Sequence, residues 1–330
     1  MEIVFLNTFE KAGVDHDVTT AQLSICERQG VWSVLWMEVK DQEEEPVTWF
    51  EGTSWEEMLM TFRHGVAKVM GKGYTPIIDG MLDDGRTING GFRSMLQCYG
   101  ELHYKDELFQ QLREWRRSAA TTERKSAYII ATNRILWMIS AFVPQTKEEL
   151  MQIPGWGAAK NELYGEAVLA ITSGTERNTT FPLDWVADEL DTSSYTEWLF
   201  KQKEQKYQSL MERHRENKTI LSMLHRDGTL DQLEKELSLP RRELIMRIEQ
   251  LDQEGYDIEP FLKRELLTVP EEEKQRVRES LSLLGDRYLK PVMQQVYGEG
   301  NGEVQADKLY ERLRLIRMNY RRQRHEGAAI

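Results

Sequence analysis

Apolar positions change their spacing twice along this chain. Near the N-terminus, 23–27 and 31–39 are β-rich runs flanking the turn-compatible pair Gln29-Gly30, which predicts a hairpin, and Thr48-Trp49-Phe50 supplies a further strand. Ser54 with Glu57 three places on is a capping-box pattern. After it Leu59, Phe62, Val66 and Val69 recur at helical spacing until Gly71 and Gly73 stop the helix. Residues 79–91 hold four glycines and read as a loop or domain boundary.

From Leu108 the period is helical. Leu108, Leu112, Trp115 and Ala119 make one stripe, and Ile135, Leu136 and Ile139 another after the turn-like stretch 121–126. Pro144 ends that helix, Thr146 with Glu149 repeats the capping box, and Pro154-Gly155-Trp156-Gly157 precedes a helix carrying Tyr164, Val168 and Ile171. Four or five helices in about 70 residues predict a compact bundle. Residues 176–202, rich in Thr, Ser and acidic side chains, read as a linker. Beyond them Leu230, Leu233 and Leu237 form a short helix, residues 238–240 break it, and Leu244, Ile245, Ile248 and Leu251 begin another, at helix-turn-helix spacing. Two further amphipathic segments span 276–297 and 307–320, and 211–224 supplies a preceding helix. The expected fold class is α+β, predominantly α: a small α/β domain over 1–100, a helical bundle over 104–175, a linker over 176–202 and a helical helix-turn-helix domain over 203–330.

Composition narrows the class. Forty per cent hydrophobic and 30% charged residues suit a globular protein. Cys26 and Cys98 are too few for a disulfide scaffold or a four-ligand zinc site, so the cytoplasm is the expected setting. No apolar run nears the roughly 20 residues of a membrane span, and Met1-Glu2-Ile3 opens on a strand-like segment instead of a basic leader. The net charge of -12 argues against a protein that coats nucleic acid with its whole surface. Local clusters must carry any phosphate binding: Arg116-Arg117 with Arg124-Lys125, then Arg241-Arg242, then a basic tail with Arg321, Arg322 and Arg324.

Catalytic constellations are not found. The stretch Gly65 to Gly73 has one residue too many for a phosphate-binding loop, puts Gly73 where a hydroxyl should ligate magnesium, and falls at the end of a helix. Asp83-Asp84 sits in a Gly-rich loop that suits a solvated turn, and His64 and His103 lack partners at ligand spacing. No enzyme activity, cofactor or metal is expected.

Leu112-Arg113-Glu114-Trp115-Arg116, Tyr128 through Asn133, Pro144 through Leu150, Ile153-Pro154-Gly155-Trp156-Gly157, Lys160 and Tyr164-Gly165 together resemble the HRDC (helicase and RNase D C-terminal) domain. One departure is Ser126, where family members often carry proline two places before the tyrosine. The resemblance implies an auxiliary nucleic-acid-binding module that performs no catalysis. It is found behind the motor of RecQ-type helicases and the exonuclease of ribonuclease D. The physics agrees in kind, because Gly155 and Gly157 place unhindered amides before a helix whose dipole favours an anion, and Lys160 adds a charge, so Gly155, Trp156, Gly157 and Lys160 are expected contact residues. The alternative is that these glycines merely permit a tight turn while Trp156 plugs the core.

Residues 229–262, continuing to Pro291, resemble the helix-turn-helix region that follows HRDC in some bacterial RecQ-type helicases. That makes Arg241, Arg242 and Arg247 the side chains available to reach DNA. The other reading is a trihelical core in which Glu243 and Glu249 cancel the attraction. Residues 49–74 resemble the closing half of a WGR domain, without its defining tripeptide, and Trp32, Trp36, Trp49 and Trp55 suit core burial better than base stacking. The expected function is a non-catalytic nucleic-acid-binding accessory protein in DNA repair, recombination or RNA processing, contacting DNA or RNA at the phosphate backbone. The alternative is a scaffold that recruits a helicase or nuclease.

Overall fold

The computed structural model describes residues 1–13, 18–39, 45–82, 91–298 and 303–328. Asp83-Asp84 and most of the Gly-rich stretch 79–91 lie outside them. The fold is α+β and predominantly α: a small antiparallel sheet followed by many helices. Two compact units are present, Met1–Gln208 and Ser209–Ile330.

The first unit begins with β1 (Glu2–Ala12), β2 (Val18–Arg28), β3 (Val31–Val39) and β4 (Val47–Gly52), an antiparallel meander to which β5 (Thr75–Pro76) adds beside β1. The β2–β3 hairpin closes through Gln29 and Gly30, both at positive φ, the conformation that matches strand twist in a two-residue turn. Alternation along the strands puts Phe9, Leu23, Ile25, Val34 and Trp36 on one buried face. Against it packs α1 (Trp55–Gly71), whose first turn is capped by Ser54 Oγ accepting from the Glu57 amide at 3.3 Å. Gly65 lies mid-helix, where an added Cβ would stand 2.3 Å from the Trp49 ring, so this glycine serves packing and cradles no phosphate. The buried Asn7 amide bonds both main-chain groups of Ile78 and pins the chain after β5.

The bundle comprises α2 (Phe92–His103), α3 (Asp106–Glu123), α4 (Ala127–Ile130), α5 (Asn133–Phe142), α6 (Lys147–Met151) and α7 (Ala158–Thr172). Leu108, Leu112, Leu136, Ile139, Leu150 and Val168 share its core. The α2–α5 crossing is close because Gly100 has no Cβ: one built there would lie 3.0 Å from the Met138 backbone. Thr146 caps α6, and Glu149 reaches back to the Gln145 amide at 2.6 Å, one residue earlier than a regular capping box requires.

Residues 176–202 are folded, which corrects the linker reading. A 3₁₀ turn (Leu183–Trp185) and α8 (Val186–Glu189) insert Leu183 and Val186 into the bundle core, and Thr179 Oγ1 donates to the Phe142 carbonyl at 2.6 Å. Two anchors three residues apart in a polar stretch are too few to announce a period. Next comes α9 (Thr192–His225), which buries Trp198 and Tyr207 in the first unit and Ile220 and Leu224 in the second.

Cys98 on α2 is fully buried, and burial, helped by Glu101, pushes its thiol up to about 12. Native protein at pH 8 is therefore expected to leave Cys98 unalkylated by iodoacetamide, with labelling appearing only in denaturant. Mass spectrometry of the tryptic peptide checks this; rapid native labelling contradicts the packing.

The second unit packs α10 (Leu230–Leu237), α11 (Arg241–Gln253), α12 (Glu259–Leu266), α13 (Glu271–Leu284) and α14 (Leu289–Tyr297) around α15 (Glu303–Ala328). Thr229 and Gln232 form a full reciprocal capping box on α10. The amphipathic segment expected over 276–297 is two helices, broken where Gly285 takes φ +81°. Leu313, Ile316 and the neighbouring Arg317 of α15 are buried, so the basic tail is a core helix through at least Arg322.

Candidate nucleic-acid interface

The turn between α6 and α7 shows how sequence makes local structure here. Gly155 takes φ +87°, and an added Cβ would press on Ile135 Cδ1 at 3.1 Å, so two constraints select glycine. Gly157 meets nothing within 4 Å and stands exposed with Ala158 and Ala159 at the start of α7. The first amides of that helix have no intrahelical acceptor and face water or a ligand. Trp156 points the other way. It is 1% exposed, and its Nε1 donates to Asn161 Oδ1 at 3.3 Å, while Asn161 Nδ2 donates to the Lys147 carbonyl at 3.2 Å. Trp156 is thus a plug of the core and offers no ring face to a base, which corrects its place among the expected contact residues.

The end of α3 lies against α7. Trp115 sits 6.4 Å from Trp156 and 5.9 Å from Tyr164, and the Tyr164 hydroxyl donates to Glu123 Oε2 at 2.8 Å. Lys125 also bonds Glu123, at 2.7 Å, and these two partners hold the Glu123 carboxyl below its usual range. Lys125 is therefore partly spent. Arg116 donates to the Ala131 carbonyl at 2.8 Å; burial, with Arg113 and Arg117 nearby, lowers its pKa. Arg117 and Arg124 are exposed and have no carboxylate partner among the described residues. Lys160, on the first turn of α7, is half-buried, and that burial lowers its pKa.

Sequence reasoning did not single out Tyr128 as a candidate contact residue. On α4, four residues after Arg124, its side chain is 69% exposed beside the similarly exposed Ile129. Its position after a basic run was visible, but exposure depends on how α4 sits over α3. An exposed aromatic can stack on a base while cations on the same strand's path hold phosphates.

A family profile described as the HRDC domain matches residues 105–172. The chain contains an HRDC domain. The ATP-dependent DNA helicase UvrD2 of Mycobacterium bovis is 39% identical over 69 residues, and UvrD2 of Mycobacterium tuberculosis H37Rv matches to the same degree. Those residues are 21% of this chain and 10% of each relative, so the chain spans about a tenth of the length of the curated relatives it matches. No solved structure matches the chain. No helicase motor is evident among the described residues. HRDC is a non-catalytic domain, and its boundaries enclose α3, α4 and the start of α7, the elements that carry the candidate contacts. Among the described residues no helix is long and apolar enough to cross a membrane.

Outside the HRDC domain, most of the arginines expected to reach DNA are engaged. Arg241 pairs with Asp231, Glu234 at 3.3 Å and Glu311 at 3.0 Å; burial opposes its charge, but these carboxylates prevail and raise its pKa. Arg247 pairs with Glu216 and, at 3.0 Å, Glu243. Arg321 bonds Asp286 at 2.8 Å and Arg322 bonds Asp252 at 2.5 Å, so neither belongs to a free phosphate-binding tail. Arg324 packs over the Tyr320 ring at 5.7 Å. The physical reason is charge balance: residues 209–330 hold 22 basic against 23 acidic side chains, and helix packing brings the two sets together. Arg242 remains exposed, without a carboxylate partner among the described residues.

Proposed function

We propose that this protein is a non-catalytic accessory factor of nucleic-acid transactions, in DNA repair, recombination or RNA processing, and that its HRDC domain grips the phosphate backbone. The observation that carries this reading is the stretch from the end of α3 through α4, along which Arg117, Arg124 and Tyr128 are each exposed. The open start of α7 and Lys160 add donors on the adjoining helix. The relatives with a similar HRDC segment are named as DNA helicases, which favours DNA over RNA. A cytoplasmic setting is part of the same proposal.

Binding is expected to be weak, salt-sensitive and nearly indifferent to sequence, because its contacts are to phosphate. Fluorescence anisotropy with single-stranded, forked and duplex DNA and with RNA, over a salt series, tests this. Replacing Arg117→Glu together with Arg124→Glu should lower affinity for single strands at least tenfold and flatten the log–log salt slope by about 1.4, roughly 0.7 per phosphate contact. If affinity and slope stay unchanged, this stretch is not the interface. A protein that ignores all four nucleic acids at low salt, yet captures a helicase or nuclease, is the scaffold instead.

A further inference from the structure

In the second unit, a cleft of 1520 Å³ opens between α11, the start of α14 and α15. Eight cations and four carboxylates line it, a local excess in a unit whose totals are nearly balanced. Several of those cations are internally paired, as Arg241 is. Four are not: Arg242, Arg287, Lys290 and Lys308 are exposed and have no carboxylate partner among the described residues. On the rim, Tyr288 is 64% exposed and carries the Arg287 guanidinium 5.3 Å from its ring centroid. Cations in twofold excess over carboxylates around a cleft give it a positive potential that attracts an anion from outside.

We propose that this cleft binds single-stranded nucleic acid, with phosphates on Arg242, Arg287, Lys290 and Lys308 and a base stacked on Tyr288. Its volume exceeds the roughly 300 to 1,000 Å³ of small-molecule pockets, which favours a polymer over a mononucleotide. An exposed aromatic needs an unpaired base, which favours a single strand over a duplex. The site thus differs from the one a helix-turn-helix reading of α11 predicts, since of Arg241, Arg242 and Arg247 it uses Arg242. It does not rest on the HRDC reading.

The test uses the full chain and a fluorescein-labelled oligothymidylate. A triple charge reversal, Arg287→Glu, Lys290→Glu and Lys308→Glu, should weaken binding at least tenfold and reduce the salt slope by about 2, at roughly 0.7 per contact. Tyr288→Ala, which leaves the charge alone, should weaken it about fivefold or more with the slope retained. Photo-crosslinking should mark the peptide that holds Tyr288. Binding unchanged in both variants overturns the proposal, as does displacement of the strand by micromolar ATP, which would make the cleft a mononucleotide pocket. The Arg117→Glu, Arg124→Glu protein separates the two sites. If it binds normally while the cleft variants fail, the HRDC reading falls and this one stands; the reverse pattern removes this one alone.

Discussion

Glu249→Gln is expected to destabilise the second unit by about 3 to 5 kcal/mol, the cost of breaking a buried charge pair by removing one partner. The carboxylate is 7% exposed and serves three guanidinium groups of α15. Oε2 accepts from Arg314 and from Arg317, each at 2.8 Å, and Oε1 lies 2.6 Å from Arg317 and 3.4 Å from Arg321. Arg317 is itself buried, its pKa is lowered first by that burial, and its Nε already lacks a partner. Glutamine keeps the shape and loses the charge, so up to three cations would remain clustered without compensation. The readout is clean because all nine tryptophans precede residue 209. Far-UV circular dichroism should lose helix signal at lower denaturant while the tryptophan transition stays in place. An unmoved dichroism midpoint would mean that α15 does not dock through this cluster. Adding Arg317→Met to Glu249→Met should recover much of the loss, since a well-packed apolar pair often equals a buried ion pair.

Trp156→Ala should cost the HRDC domain about 3 to 5 kcal/mol, the range for truncating a large aromatic in a packed core. The side chain is among the largest fully buried ones in the protein, and its removal also takes a donor from Asn161, which is buried too. Asn161 is held in turn by α6 through the Lys147 carbonyl, so the α6–α7 corner loses both filling and register. Trp156→Phe separates packing from contact. It should retain most of the stability and bind nucleic acid like the unaltered protein, because the ring never reaches the surface. Loss of binding by a Trp156→Phe protein that melts normally would place the ring in the interface after all.

Much of the fold was legible. The Gln29-Gly30 hairpin, the Ser54 cap on α1, the Thr146 cap on α6 and the Pro154 to Gly157 turn each rest on residues within a few positions of one another, where dihedral preference and short-range hydrogen bonds decide. The HRDC domain was readable for the same reason: its anchors are dense and local. The folded stretch 176–202 was hidden because Leu183 and Val186 act through the bundle core and not through a period of their own. So was the fate of the arginines. Arg317 meets Glu249 across 68 positions and Arg241 meets Glu311 across 70, and no pattern in the chain announces such pairs.

The sequence alone determined the β2–β3 hairpin, α1, several helices of the bundle and of the second unit, and that one stretch is an HRDC domain, since these follow from neighbours along the chain. Tertiary structure decided which charges are free. It turned Trp156 inward and Tyr128 outward, consumed Arg241, Arg247, Arg321 and Arg322 in carboxylate pairs, and left Arg117, Arg124 and the exposed cations around Tyr288 without carboxylate partners among the described residues. Coulomb attraction depends on distance in space, and only folding sets that distance for residues far apart in the chain.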